Sequence, residues 1–383
     1  MKHQKHKVPA KLHFYRWKNV GFLTFVDKII RFVKPSRKYN GKPDKILFIR
    51  NDKIGDAVIT LPVLRDLKLN YAEIQIHVLC SEINSFVFND DFIYKRIIYS
   101  HSDWKTQIKK LQSEKYDAVF DLVGTDKKFI WSLRKISKFR AGSRLFGLSW
   151  LYKYYLETNW VSENDMRLIT KKIEDAVCDC FGFTFSKRDT SLPYNKSLNI
   201  EFKDKEYDIL IHLGTTKIRK FDFDKEMALI DLLTEKKILI TDVTDTIRFQ
   251  FYRNKYSVNP NIIFKLYKTL EEIYTDAAKS RLLLCYDGGQ AHFLSQFARA
   301  IVLVGSVLPE QWSPYEFTEY TELKTWQNGV KAIKSMGEKA HISISFPIWC
   351  NPCFGIGCNT RPCINNIDIE QVNELINLSL IND

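Results

Sequence analysis

Strand-like apolar runs alternate with helical stretches along this chain, and no other feature limits its fold as strongly. The runs form two series separated by a polar stretch at residues 186–206. The nine runs lie at residues 45–50, 74–79, 96–100, 116–123, 207–214, 236–241, 261–266, 281–287 and 300–306. Such alternation is typical of parallel sheets covered by helices. We therefore predict an α/β chain with two Rossmann-like domains, and we place a basic arm at residues 1–40, the first domain at 41–190 and the second at 191–383.

Positive charge is concentrated at the N-terminus. Residues 1–38 hold eleven Lys and Arg against a single acid, Asp27, whereas the whole chain has a formal net charge of +13. Apolar residues recur at three- and four-residue spacing from Phe22 to Val33, with cations between them, which predicts a basic amphipathic helix. Such a helix binds the interface of an anionic membrane. The alternative is a helix that packs on the domain and presents a solvated basic face.

The sequence contains no run of the roughly 18 apolar residues that a membrane-spanning helix needs. Charged residues closely bracket the apolar run of the arm, which argues against a secretory signal. We expect a cytoplasmic protein that is peripheral on the cytosolic face of a membrane.

Functional residues of open α/β sheets are expected in the loops at the carboxyl ends of the strands. After the run at 45–50, Asp56 falls in the first turn of a predicted helix. The helix dipole would keep this carboxylate ionised and able to accept a proton. The alternative is that Asp56 only caps the helix.

Two loops of the second series have compositions suited to phosphate. The loop at 212–222 offers hydroxyls, backbone donors and cations from Gly214, Thr215, Thr216, Lys217, Arg219 and Lys220. In the loop at 285–298, Asp287 is followed by Gly288 and Gly289 and then by a helix whose first N–H groups favour an anion. The alternatives are an ordinary basic surface loop for the first and, for His292 in the second, a packing role.

Three stretches together resemble the signatures of glycosyltransferase family nine, the lipopolysaccharide heptosyltransferases. They are ILFIRNDKIGDAVITLPVLRDLK, IHLGTTKIRKFDFDKEMALIDLL and YDGGQAHFLSQFARAIVLVGSVLPEQWSP, in the order of the family, and the resemblance covers roughly residues 45–380. It implies the GT-B type of fold, in which two Rossmann-like domains face each other across a cleft, with a C-terminal helix for which residues 367–380 are the candidate. It also implies inverting transfer of heptose from ADP-heptose to the inner core of lipopolysaccharide or lipooligosaccharide. The acceptor would be a lipid A-core molecule at the cytosolic face of the inner membrane.

The resemblance also implies roles for individual residues. Asp56 matches the proposed base. The catalytic-loop lysine of the family aligns with Arg219, and Lys220 follows it. With these cations at the leaving diphosphate, no divalent metal is required for catalysis.

The remaining matches concern the donor. Asp287 matches a carboxylate that contacts the sugar, and His292 matches the histidine that follows it. The chain departs from the family at Gly288 and Gln290. Asp245 is our candidate for the ribose hydroxyls.

Four cysteines near the C-terminus have the spacing C-x2-C-x4-C-x4-C. They are Cys350, Cys353, Cys358 and Cys363. In a cytosolic chain such a cluster predicts a structural zinc site, with iron as the alternative.

The same spacing leaves two other functions open. It equals a zinc knuckle in which Cys replaces His, so a nucleic-acid-binding protein is one alternative. A knuckle explains neither the phosphate-type loops nor the two α/β series, so we expect no nucleic-acid partner. The other alternative is a heptosyltransferase that acts on protein, as in the autotransporter heptosyltransferases, which carry an iron bound by cysteines.

Overall fold

The structure is a computed structural model. It describes residues 29, 32–100, 102–123, 127–143, 151–156, 167–189, 205–216, 219–315, 319–348, 351, 358 and 360–381. The chain divides into two compact units, with bounds Met1–Asp52, Leu64–Trp160 and Ile173–Arg188 for the first and Lys53–Val63, Val161–Lys172 and Asp189–Asp383 for the second. The predicted linker at 186–206 lies largely outside the described residues, so the predicted domain boundaries stay a prediction.

In the described part of the first unit, six parallel strands form a sheet in the order β3-β2-β1-β4-β5-β6. The strands are β1 (Lys45–Arg50), β2 (Gln75–Cys80), β3 (Lys95–Ile98), β4 (Ala118–Asp121), β5 (Phe139–Ser143) and β6 (Tyr154–Leu156). The helices along this stretch of the chain are α1 (Ile54–Asn70), α2 (Trp104–Ser113), α3 (Lys127–Leu133) and α4 (Ile169–Phe181). Helices α1 and α4 each begin in the second unit and end in the first. Strand β1 lies at the centre of the sheet and is almost wholly buried, which explains its continuous apolar sequence.

The described part of the second unit contains an eight-stranded sheet in the order β12-β13-β14-β11-β10-β7-β8-β9. The strands are β7 (Tyr207–His212), β8 (Ile238–Asp242), β9 (Ile262–Leu266), β10 (Ser280–Tyr286), β11 (Arg299–Val304), β12 (Tyr320–Thr325), β13 (Lys331–Ser335) and β14 (Ile342–Ser345). Both pairings of β13 are antiparallel, and the other pairings of the sheet are parallel. The helices are α5 (Phe223–Leu232), α6 (Ile247–Lys255), α7 (Tyr274–Ala278), α8 (Gly289–Leu294), α9 (Pro309–Trp312), α10 (Pro362–Asn365) and α11 (Ile369–Ile381).

Each of the nine predicted apolar runs is a strand, so the predicted α/β class is correct. Strands β5, β6, β12, β13 and β14 escaped prediction because their sequences lack a long apolar run. Strand β6 has only three residues, and β12 is an edge strand whose side chains are mostly exposed. Helix α11 covers the stretch where a C-terminal helix was predicted, and its Val372, Leu375 and Ile376 lie in the hydrophobic core of the second unit. No helix in the described ranges is long and apolar enough to cross a membrane.

The strand order determines where ligands are expected. In each sheet the parallel strands run outward in both directions from two central strands, which are β1 and β4 in the first sheet and β7 and β10 in the second. Ligands of such sheets bind at this switch point, beyond the carboxyl ends of the two central strands. In the second sheet His212 pairs with Cys285, so β7 and β10 end close to each other. The two phosphate-type loops predicted from the sequence are the ones that leave these strands.

A glycine in β5 is required by a buried tyrosine of the first unit. A Cβ atom on Gly142 would lie 2.2 Å from the ring of Tyr152. This ring is 1% exposed, and its hydroxyl donates a hydrogen bond of 2.5 Å to Asp121 at the end of β4. The ring therefore occupies the space that a side chain at position 142 would need.

We expect Gly142→Ala to lower the free energy of unfolding by about 1–3 kcal/mol, because the added methyl group overpacks the site and displaces Tyr152. Thermal unfolding measures the effect. Gly305→Ala is the matched control, since a Cβ there would meet its nearest neighbour at 3.5 Å, an ordinary contact distance. Equal melting temperatures for Gly142→Ala and the wild type would contradict this packing.

Candidate active site

The first turn of α1 packs directly against α8 through two glycines of the second unit. A Cβ atom on Gly55 would lie 3.0 Å from the Cα of Gly289 and 3.1 Å from Cδ2 of His292. A Cβ on Gly289 would lie 3.0 Å from the backbone nitrogen of Gly55. Contacts this short leave no room for a side chain at either position. The predicted base, Asp56, is the next residue of this turn and is half-buried.

The glycine before α8 is explained by a neighbouring side chain. Gly288 has φ +151°, a conformation that side-chain-bearing residues rarely adopt. Gln290 folds back over it, since its Nε2 donates a hydrogen bond of 2.9 Å to the carbonyl of Tyr286. Its Oε1 would lie 2.7 Å from a Cβ at position 288. The two departures from the family pattern are therefore coupled in space.

The two switch-point loops are joined by an ion pair. Nη1 of Arg219, after β7, lies 3.1 Å from the carboxylate of Asp287, after β10, and donates a hydrogen bond of 3.3 Å to the carbonyl of the same residue. The Thr215 hydroxyl donates to that carbonyl at 3.4 Å. Burial raises the pKa of Asp287, whereas Arg219 and the backbone amide of Gly305 lower it. Nε of Arg219 is buried and has no hydrogen-bond partner among the described residues, so this donor is suited to an anionic ligand.

His292 is buried in α8, close to the charged groups of Asp56 and Arg219. Burial lowers its pKa to about 4, and the charge of Asp56 raises this pKa while that of Arg219 lowers it. Its ring is therefore neutral at neutral pH. Within the described part of the chain, Nδ1 of this ring has no hydrogen-bond partner. A neutral imidazole with such an atom is suited to a polar ligand such as a sugar hydroxyl.

The charged residues that precede Asp56 form contacts around the turn between β1 and α1. Arg50 is 4% exposed, pairs with Asp52 at 3.2 Å and donates to the carbonyl of Leu122 at 3.2 Å. Asn84 donates to the carbonyls of Arg50 and Asp52. We assign a structural role to these contacts of Arg50, Asp52 and Asn84.

A second buried carboxylate lies at the end of β8, and sequence reasoning missed it. Asp242 is 2% exposed, and its Oδ1 accepts hydrogen bonds from the amides of Val243 and Thr244 at 2.7 and 3.2 Å. Burial raises its pKa and nearby Lys220 lowers it. The pKa of Lys220 is itself lowered, mainly by burial. The only sequence signal was that Asp242 directly follows the predicted apolar run at residues 236–241.

The remaining predicted site residues are Thr216, Lys217 and Asp245. Thr216 is exposed, and its carbonyl accepts a hydrogen bond from the Arg219 amide. Asp245 is exposed beyond β8 and accepts a hydrogen bond of 3.1 Å from Gln250. Lys217 lies outside the described residues.

The predicted metal site is only partly described. Cys350 and Cys353 lie outside the described residues, whereas Cys358 and Cys363 are described. Among the residues that the structure describes, no group of three or more His, Cys, Asp or Glu is arranged to hold a metal ion. The four-cysteine site stays a prediction.

Solved structures share this architecture. No protein-family model matches the chain, and no curated protein matches it. The E. coli heptosyltransferase WaaC with ADP is 13% identical with a TM-score of 0.62, and E. coli ADP-heptose lipopolysaccharide heptosyltransferase II is 13% identical with a TM-score of 0.63. Each comparison covers 88% of this chain and 99% of the other. A family 9 glycosyl transferase from Veillonella parvula is 14% identical with a TM-score of 0.63, over 91% of this chain and 99% of the other. This similarity confirms the predicted GT-B type of fold.

We expect the neutral His292 to contribute to the pH dependence of stability. Its pKa is about 4 in the folded chain against 6.5 for an unperturbed histidine. The unfolded chain therefore binds the proton first, and stability falls as the pH drops from 6.5 towards 4. The melting temperature of His292→Gln should therefore decrease less than that of the wild type when the pH is lowered from about 7 to about 5. Parallel losses in the two proteins would contradict a buried, neutral His292.

Proposed function

We propose that this chain is an inverting glycosyltransferase that moves heptose from ADP-heptose to the inner core of lipopolysaccharide. The proposal rests mainly on two contacts. The first turn of α1, which contains Asp56, packs against the loop after β10. That loop is in turn joined to Arg219 of the loop after β7 by an ion pair. A base and an anion-binding group are thus close together. Further support is the shared fold with two solved heptosyltransferases, one of them described with ADP.

In this proposal Asp56 is the base. Its carboxylate removes the proton from the acceptor hydroxyl as that oxygen attacks the anomeric carbon of the donor, on the face opposite the diphosphate. The bond from the anomeric carbon to the diphosphate oxygen breaks, so the configuration inverts and ADP leaves with its electron pair. Asp56 lies in the first turn of a helix, where the helix dipole interacts favourably with a negative charge.

The negative charge that develops on ADP is received by the loops at the switch point. Arg219 is already held by Asp287, so its guanidinium is oriented before the donor binds. Thr215, Lys220 and the backbone amides of Gly288 and Gly289 complete the set of donors. Preorganised donors in a buried site stabilise developing charge more than water does. Asp287 and His292 would contact the sugar, and Asp245 or the buried Asp242 would contact the ribose.

We propose that catalysis needs no divalent metal, because the protein supplies the positive charge. The cysteine cluster would then hold a structural metal ion, with zinc as the first candidate. A nucleic-acid function is not favoured, since the three solved structures named above are transferases. A protein acceptor is not favoured either.

The test of the function is transfer of heptose from ADP-heptose to a panel of truncated lipopolysaccharides, with and without EDTA. We expect a product of inverted configuration with at least one acceptor, and EDTA should leave the initial rate largely unchanged. Release of ADP without transfer to any member of the panel would exclude the proposed acceptor class. Loss of the rate in EDTA that magnesium restores would refute the metal-free step.

The base is tested by Asp56→Asn. We expect turnover to fall by about 10²–10⁴-fold, the usual contribution of a general base, while ADP still raises the melting temperature as in the wild type. Asp224→Asn is the matched control, because Asp224 is also an acidic residue in the first turn of a helix. Turnover of Asp56→Asn at the level of this control would remove Asp56 from the mechanism.

We also propose that the N-terminal arm attaches the protein to an anionic membrane. Most of the predicted helix lies outside the described residues, but Phe32 and Val33 are 92% and 77% exposed. Cations lie beside them, because Lys34 is the next residue. Burial lowers the pKa of Lys34, and the positive charges of nearby Arg140, Lys153 and Arg37 lower this pKa further. Exposed apolar side chains next to clustered cations suit an anionic lipid surface. These exposures also argue against the packed alternative for this part of the helix.

The arm is tested with the double variant Phe32→Ser/Val33→Ser. We expect it to lose sedimentation with anionic liposomes while keeping turnover on a soluble, deacylated acceptor. Wild-type binding should weaken with salt, since each surface cation contributes about 1 kcal/mol at low ionic strength. The matched control is Ile247→Ser/Val258→Ser, which removes two other apolar side chains that are 86% and 91% exposed. Equal liposome binding by both double variants would contradict the attachment.

A further inference from the structure

A short segment near the C-terminus, residues 361–365, contacts the loop that follows β7. Arg361, directly before α10, donates a hydrogen bond of 2.8 Å to the carbonyl of Lys220. Its guanidinium also forms an ion pair with the carboxylate of Asp222. The Arg361 side chain is only 11% exposed. One side chain thus holds both ends of the three-residue stretch that directly follows Arg219.

The same carboxylate is held a second time by the segment. Asn365 donates a hydrogen bond of 2.7 Å to Asp222 through Nδ2, and its Oδ1 accepts one of 3.1 Å from the Asp222 amide. Asp222 is the N-cap residue of α5, where an aspartate usually accepts hydrogen bonds from the first amides of the helix. Within the described chain its side chain makes no such bond. The carboxylate therefore serves the C-terminal segment instead of the helix.

The backbone of Arg361 adopts an uncommon conformation. Its φ of +46° lies in the left-handed region, which residues with a side chain adopt at a cost. Local contacts hold it there: the Arg361 amide donates to Sγ of Cys358 at 3.3 Å, and its carbonyl accepts from the amides of Ile364 and Asn365. Such conformations persist where several contacts fix them.

The segment also contacts the glycine that interacts with Asp287. A Cβ on Gly305, which follows β11, would lie 3.6 Å from Sγ of Cys363 and 3.5 Å from Cβ of Ile364. The backbone amide of Gly305 is among the groups that lower the pKa of Asp287. The segment thus holds the loop after β7 and packs beside Gly305.

We propose that Arg361 is a positioning residue, which holds the stretch from Lys220 to Asp222 so that Arg219 and Lys220 face the diphosphate of the donor. This inference rests on the proposed function and adds to it a residue that touches no ligand. A planar guanidinium makes the two contacts at once, whereas the single ammonium of a lysine would make only one of them well. Arg361→Lys is therefore expected to be intermediate between Arg361→Ala and the wild type.

The test uses the full chain and two readouts, hydrogen exchange at the amides of Arg219 and Asp222 and the calorimetric Kd for ADP. In Arg361→Ala we expect faster exchange at both amides. We also expect a Kd for ADP that is about tenfold higher, as when a hydrogen bond to a charged group is lost. Lys324→Ala is the control, since it removes an ion pair with Glu374 of α11 away from this loop. The control should match the wild type in both readouts.

The outcomes separate this inference from the proposed function. Unchanged exchange in Arg361→Ala, or faster exchange with an unchanged Kd, would overturn the positioning role, since a merely structural role lowers the melting temperature alone. If Arg361→Ala does not fold, wild-type exchange and Kd in Arg361→Lys would overturn it. If the wild type binds no ADP, the proposed function fails, and unchanged exchange at the two amides would show that Arg361 does not hold the loop either.

Discussion

The backbone contact between Gly55 and Gly289 is the constraint on which the candidate site depends. Any side chain at either position would push the first turn of α1 away from the loop after β10. That turn carries Asp56, and that loop carries Asp287, which holds Arg219. The contact therefore sets the spacing between the carboxylate of Asp56 and the guanidinium of Arg219. Glycine is required here for the close approach of two backbones.

Burial gives the charged groups of this site their chemical character. Asp287 is 3% exposed, and burial and its arginine shift its pKa in opposite directions. His292 is kept neutral by the same dry surroundings. Interactions between charges are stronger where water is excluded. Fixed donors in such surroundings can stabilise a leaving diphosphate without reorganising during the reaction.

Much of this arrangement was predictable from the sequence, because the strands that flank the second switch point are long apolar runs and their loops carry glycines and cations. The pairing of Arg219 with Asp287 was not, since residues far apart in sequence become neighbours only through the sheet order. The burial of Asp242 and the exposure of Asp245 were not predictable either, because the spacing of the two carboxylates does not show which of them is buried. Arg361 lies 141 positions from Lys220, and no local pattern marks their contact.

We propose above all that the loops after β7 and β10 bind the diphosphate of a nucleotide. Calorimetric titration of the full chain with ADP, AMP and adenosine tests it most directly, together with the same titrations of Arg219→Ala. We predict that the wild type binds ADP at least about tenfold more tightly than AMP, as expected for charge-assisted contacts to the second phosphate. The difference should largely disappear in Arg219→Ala. Equal affinities of the wild type for ADP and AMP would show that these loops do not bind the diphosphate.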